Sequence, residues 1–429
     1  MAIRLQRTLI LLSPVQGHLT NKKDYYGKGQ HMIFLRFMSA VTLPAMLILL
    51  SGCGGESATI TPASTPALTA NDTDNNQNTS SAEPTAAPEA APAPKLVKRN
   101  LQRRAVPGRP TGSPVVSKAL ADNLNAGNLK EAERFIKMGA DVDYVGGNRE
   151  PVLYTAIRRG NYDIADQLIL YGADTNLKNG NGLTPLQLAI SKSHQPTIDL
   201  LLKNGADPSY QGPQGSALYI AIESGNTALV QKLLEYSADP NSSGPGGQVL
   251  HAAIARGQVS SVQQLLKYGA NANTGSRQGT PIQMAIRAKS APIVSLLTAA
   301  GASTNVSDGI GETLLHKAAA QGLLDVVKSL VEGGANIEAV DKFEETPLHE
   351  AAAKGQLSVV QYLIAKGANK NALTVKRWTA LHEAARFGHA DTAAYLISQG
   401  LSRNAKTSDG MTPKALANHL NHSAVMPML

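Results

Sequence analysis

Cysteine occurs once, at Cys53, so the chain can form no internal disulfide and no thiolate cluster for zinc. Aromatic residues make up only 4% of a chain that is 42% hydrophobic, which leaves alanine and leucine to do the packing and argues against the aromatic-rich core of a compact enzyme. The apolar run from Phe37 to Leu50 stops short of the roughly twenty residues a helix needs to span a bilayer. Acidic residues are outnumbered, 32 against 40 basic ones, giving a net charge of +8 and a pI near 9.3. That balance favours acidic partners or anionic surfaces and says nothing about fold.

What is present begins with a signal. Residues 32–52 read MIFLRFMSAVTLPAMLILLSG, a basic residue at Arg36 followed by a short apolar stretch, the pattern of a secretion signal. Its end, Leu50-Ser51-Gly52-Cys53, resembles the lipobox of bacterial lipoproteins. The resemblance implies cleavage before Cys53, lipidation of Cys53 and a membrane partner through that anchor. With Gly54 rather than Asp in the next position it also implies a place in the bacterial cell envelope, at the outer membrane and facing the periplasm. A single acyl chain holds a protein only marginally, so the several chains of that family are needed. Residues 1–31 fit no signal and are read as an extension from a mis-assigned start.

Residues 53–114 are rich in Ala, Pro and Thr and hold no aromatic side chain, too little apolar area to offset the entropy of ordering. They read as a disordered tether, on the order of 45 Å from end to end as a flexible coil. Within it, residues 95–109 (KLVKRNLQRRAVPGR) are basic without an acidic residue. The segment suits an anionic surface or a solvated spacer.

Beyond this the chain repeats one phrase. Aligned on a glycine-alanine pair it returns at Gly139, Gly172, Gly205, Ser237, Gly269, Gly301, Gly334, Gly367 and Gly400, a spacing of 32 or 33 residues. In the copy TPLHEAAAKGQLSVVQYLIAKGANKNA, Thr346 can cap a helix and Pro347 suits its first position. Leu348, Ala351 and Ala352 make one apolar face, and Gly355 ends the helix. Val359, Val360, Leu363 and Ile364 make a second face, closed by Gly367 in a left-handed conformation. The period, with the TPLH at Thr346 to His349, resembles the ankyrin repeat. The resemblance covers residues 115–429 and implies an all-α solenoid of about nine stacked helix-turn-helix units plus a partial C-terminal repeat. Two short helices cannot hide both apolar faces alone, whereas stacked copies share the burial. Ser193 and Lys289 stand where the glycine between the helices is expected, which points to bending or looser packing in the third and sixth copies.

Nothing in the pattern supplies a nucleophile with its base, and no enzyme activity, cofactor, metal or small-molecule substrate is expected. His251, His316, His349 and His382 recur at one repeat position, occupied in ankyrin-like proteins by a histidine that hydrogen-bonds neighbouring turns. His419 and His422 alone make a weak metal pair. NGNG (Asn179 to Gly182) and GPGG (Gly244 to Gly247) lack the context of a phosphate loop and read as turns.

What remains is surface. The resemblance places partner contacts on the turn tips and the exposed side of the first helices. The candidates on helices are Arg158, Arg159, Arg256, Arg287, Lys354, Arg386 and Phe387; those at tips are Lys342, Phe343, Lys376, Arg377 and Trp378, types enriched in binding hot spots. The expected function is a noncatalytic protein-binding module, a scaffold or adaptor holding on its concave face a partner with an acidic segment, with no nucleic acid expected. An immunity or inhibitor lipoprotein that neutralises one envelope toxin or enzyme is the alternative.

Overall fold

The computed structural model describes residues 112–429. The expectations for the upstream extension, the signal, Cys53 and the basic stretch at 95–109 lie outside them. The first copies are the helix pairs α1 (Pro114–Ala126) with α2 (Leu129–Lys137), α3 (Val152–Arg159) with α4 (Tyr162–Leu170), and α5 (Pro185–Ser191) with α6 (Gln195–Lys203). The middle ones are α7 (Ala217–Glu223) with α8 (Thr227–Glu235), α9 (Val249–Ala255) with α10 (Val259–Lys267), and α11 (Pro281–Arg287) with α12 (Ala291–Ala299). Then follow α13 (Leu314–Ala320) with α14 (Leu324–Glu332), α15 (Pro347–Ala353) with α16 (Leu357–Ala365), and α17 (Ala380–Arg386) with α18 (Ala390–Ser398). A last first helix, α19 (Pro413–His419), is followed by a 3-10 turn at Met426–Met428 in place of a second helix.

Each pair packs on the pair before and the pair after, so one continuous core runs through all copies. Leu348, Ala351, Ala352, Val359, Val360 and Leu363 are buried as their spacing predicts, while Ile364 sits at the edge of the core. The small alanines let neighbouring first helices approach closely.

The turns between copies are short fingers of two lengths, which account for the two repeat periods. In the longer ones the first residue, Asn179, Asp308 or Asp341, accepts through its side chain from the backbone N–H groups two and four positions on. In the shorter ones a two-residue turn closes the finger, bridging Gly212 to Gly215 and Ser276 to Gly279. Between them lies the small hairpin of β1 (Ser243–Gly244) and β2 (Gly247–Gln248). GPGG and NGNG are thus turns, as read. Gly215 has φ +91° and its missing Cβ would meet the backbone of Ser243 and Gly244, so no other residue fits there without movement.

The structure qualifies one expectation. At two junctions the backbones of one helix pair stand further apart, α6 from α8 and α11 from α13, while the other helices pack, α5 on α7 and α12 on α14, and Lys232 of α8 still reaches Asp199 of α6 at 2.7 Å. These are the junctions that follow the copies carrying Ser193 and Lys289. Yet both residues hold the left-handed conformation a glycine would, with φ of 54° and 55°. The turn itself is therefore intact. Glycine is needed elsewhere for room as well as for conformation: a Cβ on Gly355 would run into the His389 ring, which reaches back 3.1 Å to the Ala353 carbonyl. One copy on from Ser193, the position His389 holds after Gly355 is taken by Asn226, whose side chain accepts from Leu229 N–H. Ser193→Gly is expected to raise stability by about 1 kcal/mol, the left-handed penalty of an L-residue, readable in urea unfolding.

Candidate interaction surface

The first helices α5, α11, α13, α15 and α17 start with a threonine cap and a Gln or His three residues on. In the copies at Thr313, Thr346 and Thr379, the Thr backbone N–H donates to Nδ1 of His316, His349 and His382. With Nδ1 accepting, the proton resides on Nε2, which donates to a carbonyl of the next finger. His316 reaches Glu345, His349 reaches Ala372 and Trp378, and His382 reaches Ala405. Burial keeps all three neutral, pressing His349 down to about 4. Gln187 does the same work in its copy, bonding Thr184 and the Gly215 carbonyl, a substitution the sequence reading missed.

His251 departs from this expectation. Its copy has Gln248 at the cap, and neither ring nitrogen makes a hydrogen bond although the side chain is buried. The Thr274 and Gly279 backbone lies near enough to oppose the burial that lowers its pKa, not near enough to bond well.

Several basic residues expected to face a partner are already engaged. Arg158 pairs with Glu150 at 3.0 Å and Arg256 with Glu223 at 2.9 Å. Arg287 donates to the Gln278 carbonyl, and Arg159 is exposed. Each such exposed pair contributes little to stability, but it lowers the charge left for a ligand.

The remaining candidates gather on the seventh to ninth copies. Their fingers are tied together: Lys342 N–H donates to Ile310, Val375 N–H to Phe343 and Ser408 N–H to Lys376. The tips expose Val340, Phe343, Leu373 and Val375 among the cations Lys342, Lys376 and Arg377. Lys342 stands 4.9 Å from the Phe343 ring, and Arg377 is held at φ 57°. Trp378, expected at a tip, is instead turned against α17. It is half-buried with Nε1 unbonded, and the Arg386 guanidinium lies 5.0 Å from its ring and 5.0 Å from that of Phe387. Lys354 approaches the Phe387 ring at 5.8 Å.

Below them, between α15 and α17, is a cavity of 140 Å³ lined by Glu345, His349, Glu350, Ala353, Lys354, Glu383, Arg386 and Phe387. Burial drives both Glu345 and Glu383 up to about 7, and neighbouring carboxylates add to the shift. Among the described residues no group of three or more His, Cys, Asp or Glu forms a metal site, and His419 with His422 gathers no further ligand. No helix there is long and apolar enough to cross a membrane.

A row of helix pairs carrying a finger-tip surface is the build of a repeat scaffold for protein–protein contact. The family model of ankyrin repeats (3 copies) matches in overlapping blocks, 120–212, 153–244, 218–308, 282–374, 315–407 and 348–429, and the chain belongs to the ankyrin-repeat family. A search of the curated proteins returned no match. Members of this family are typically noncatalytic interaction modules, and protein binding is the activity the family implies.

Proposed function

We propose that this chain is a protein-binding scaffold held to the bacterial envelope by a lipidated Cys53, and that it receives its partner on the fingers and first helices of the seventh to ninth copies. The observation that carries the choice of surface is the set of exposed apolar side chains Val340, Phe343, Leu373 and Val375, fixed in place by finger-to-finger hydrogen bonds. Exposed apolar groups ringed by charge mark interaction sites more often than scattered ones do. Lys342, Lys376 and Arg377 enter no ion pair among the described residues, which supports an acidic stretch in the partner at the tips. The Leu50 to Cys53 lipobox and the tether after it support an anchored module working away from the membrane.

Capture from solubilised envelope tests the reading. The parent protein is expected to retain a specific partner, and Phe343→Ala combined with Arg377→Ala to retain it about tenfold less at unchanged helicity. Mass spectrometry of the same preparation should find the mature chain starting at an acylated Cys53. Equal capture by the double variant rejects the surface; a mature start elsewhere rejects the anchor.

A further inference from the structure

We infer that the stack is two blocks, the first to sixth copies and the seventh copy onward, joined by a hinge along the second helices α12 and α14. The first helices come in two styles that change at this seam. After a shared alanine the second to sixth copies carry isoleucine, as at Ile254 and Ile286, and the seventh to ninth carry alanine, at Ala319, Ala352 and Ala385. The smaller side chain lets α13, α15 and α17 pack closely in turn, whereas α11 stands further from α13.

Finger length changes at the same place. The short finger closed between Ser276 and Gly279 is followed by the long one that starts at Asp308. Among the described residues no backbone hydrogen bond joins these two, while the fingers beyond are laddered by Lys342 N–H to Ile310 and Val375 N–H to Phe343. Two side-chain ties are missing there as well. Gln187, His316 and His382 each reach from a first helix to a carbonyl of the next finger. Gln283 accepts from its own cap, Thr280, and among the described residues donates to no such carbonyl. Just before their second helices, Gln258, Gln356 and His389 reach back to the Ile222, Ala320 and Ala353 carbonyls of the preceding copies. At the seam that position is Leu323, which has no polar group to offer.

The second-helix side is tied firmly. There α12 packs on α14, a Cβ on Gly333 would run into the Thr298 side chain, and Ser329 Oγ reaches the Ala291 carbonyl at 3.4 Å. Asn336 N–H donates to Asn305 Oδ1 at 2.8 Å, and Asn305 Nδ2 donates to the Gly334 carbonyl at 3.3 Å. On the first-helix side burial alone holds, with Ile286 and Leu314 each 5% exposed. Apolar burial has no preferred direction and tolerates sliding that a hydrogen bond resists. Directional ties along one edge and none along the other make a hinge, and because each repeat touches only its neighbours, no other copy braces the seam. A bend there carries the exposed finger tips of the seventh to ninth copies as one body and changes the spacing between the first helices of the two blocks.

Distance distributions between spin labels on the full chain test the hinge. Cys53→Ser leaves no other thiol, and exposed positions at the ends of first helices take the labels. Ala288→Cys with Lys354→Cys spans the seam; Ser224→Cys with Ala288→Cys lies within the first block and Gln321→Cys with Phe387→Cys within the second, each pair two copies apart. With circular dichroism unchanged, the seam pair is expected to give a distribution about twice as broad as either of the others. A seam pair no broader than the pairs within the blocks overturns the hinge. The result is read without a partner, so the hinge stands or falls apart from the scaffold reading.

Discussion

Replacing His349 by alanine is expected to destabilise the protein by about 3 kcal/mol in urea unfolding, while His251→Ala costs about 1 kcal/mol. The two side chains occupy one repeat position and are both buried, at 1% and 4% exposure, so the lost packing is alike. Their hydrogen bonds are not. His349 serves Thr346, Ala372 and Trp378 at once, and its removal leaves the Thr346 N–H and two carbonyls of the next finger without a partner. His251 serves none with good geometry. Equal losses for the two variants would reject the hydrogen-bonding account and leave packing alone. The imidazole also sets an acid limit. Its folded pKa of about 4 lies below the ordinary 6.5, so the stability it contributes is present above about 6.5 and is lost as pH falls through about 4. His349→Ala should remove that part of the acid transition.

The stack was legible in the sequence because its signals are local. Thr346, Pro347, Gly355 and Gly367 each act on the turn they sit in, and nine returns of one pattern leave little room for another fold. The candidate surface was less legible because its chemistry is decided between copies. That Arg256 meets Glu223 depends on how one helix leans on the preceding one, a register that no motif encodes. Trp378 looks like a tip residue in the chain and is a wall residue in space, since Arg386 and its own finger turn it inward. The histidine position misled in the same way: the residue at 251 matches the pattern, but its partner three positions earlier is Gln248 in place of a threonine. Glu383 carried no signal at all. In sequence it is the polar residue of an ordinary helix, EAAR, and only the approach of Glu345 and Glu350 from the neighbouring copy makes it unusual.

Glu383→Gln is expected to stabilise the protein at pH 8, by about 2 kcal/mol, and to leave it unchanged at about pH 4. Unfolded, this carboxyl ionises near 4.5; folded, burial holds it up to about 7, with Arg386 opposing the shift and Glu350 adding to it. Between those two values the folded chain keeps a proton that the unfolded chain has released. Stability is therefore full below about pH 4.5 and falls as pH rises through about 7. Glutamine has the same shape and no charge to bury, so the variant escapes that loss. The substitution also removes a negative neighbour of Glu345, whose own pKa should drop from about 7 towards the ordinary range. Urea midpoints of parent and variant measured across this range should diverge upward with pH; parallel curves would mean that the Glu383 carboxylate is already compensated in the folded protein.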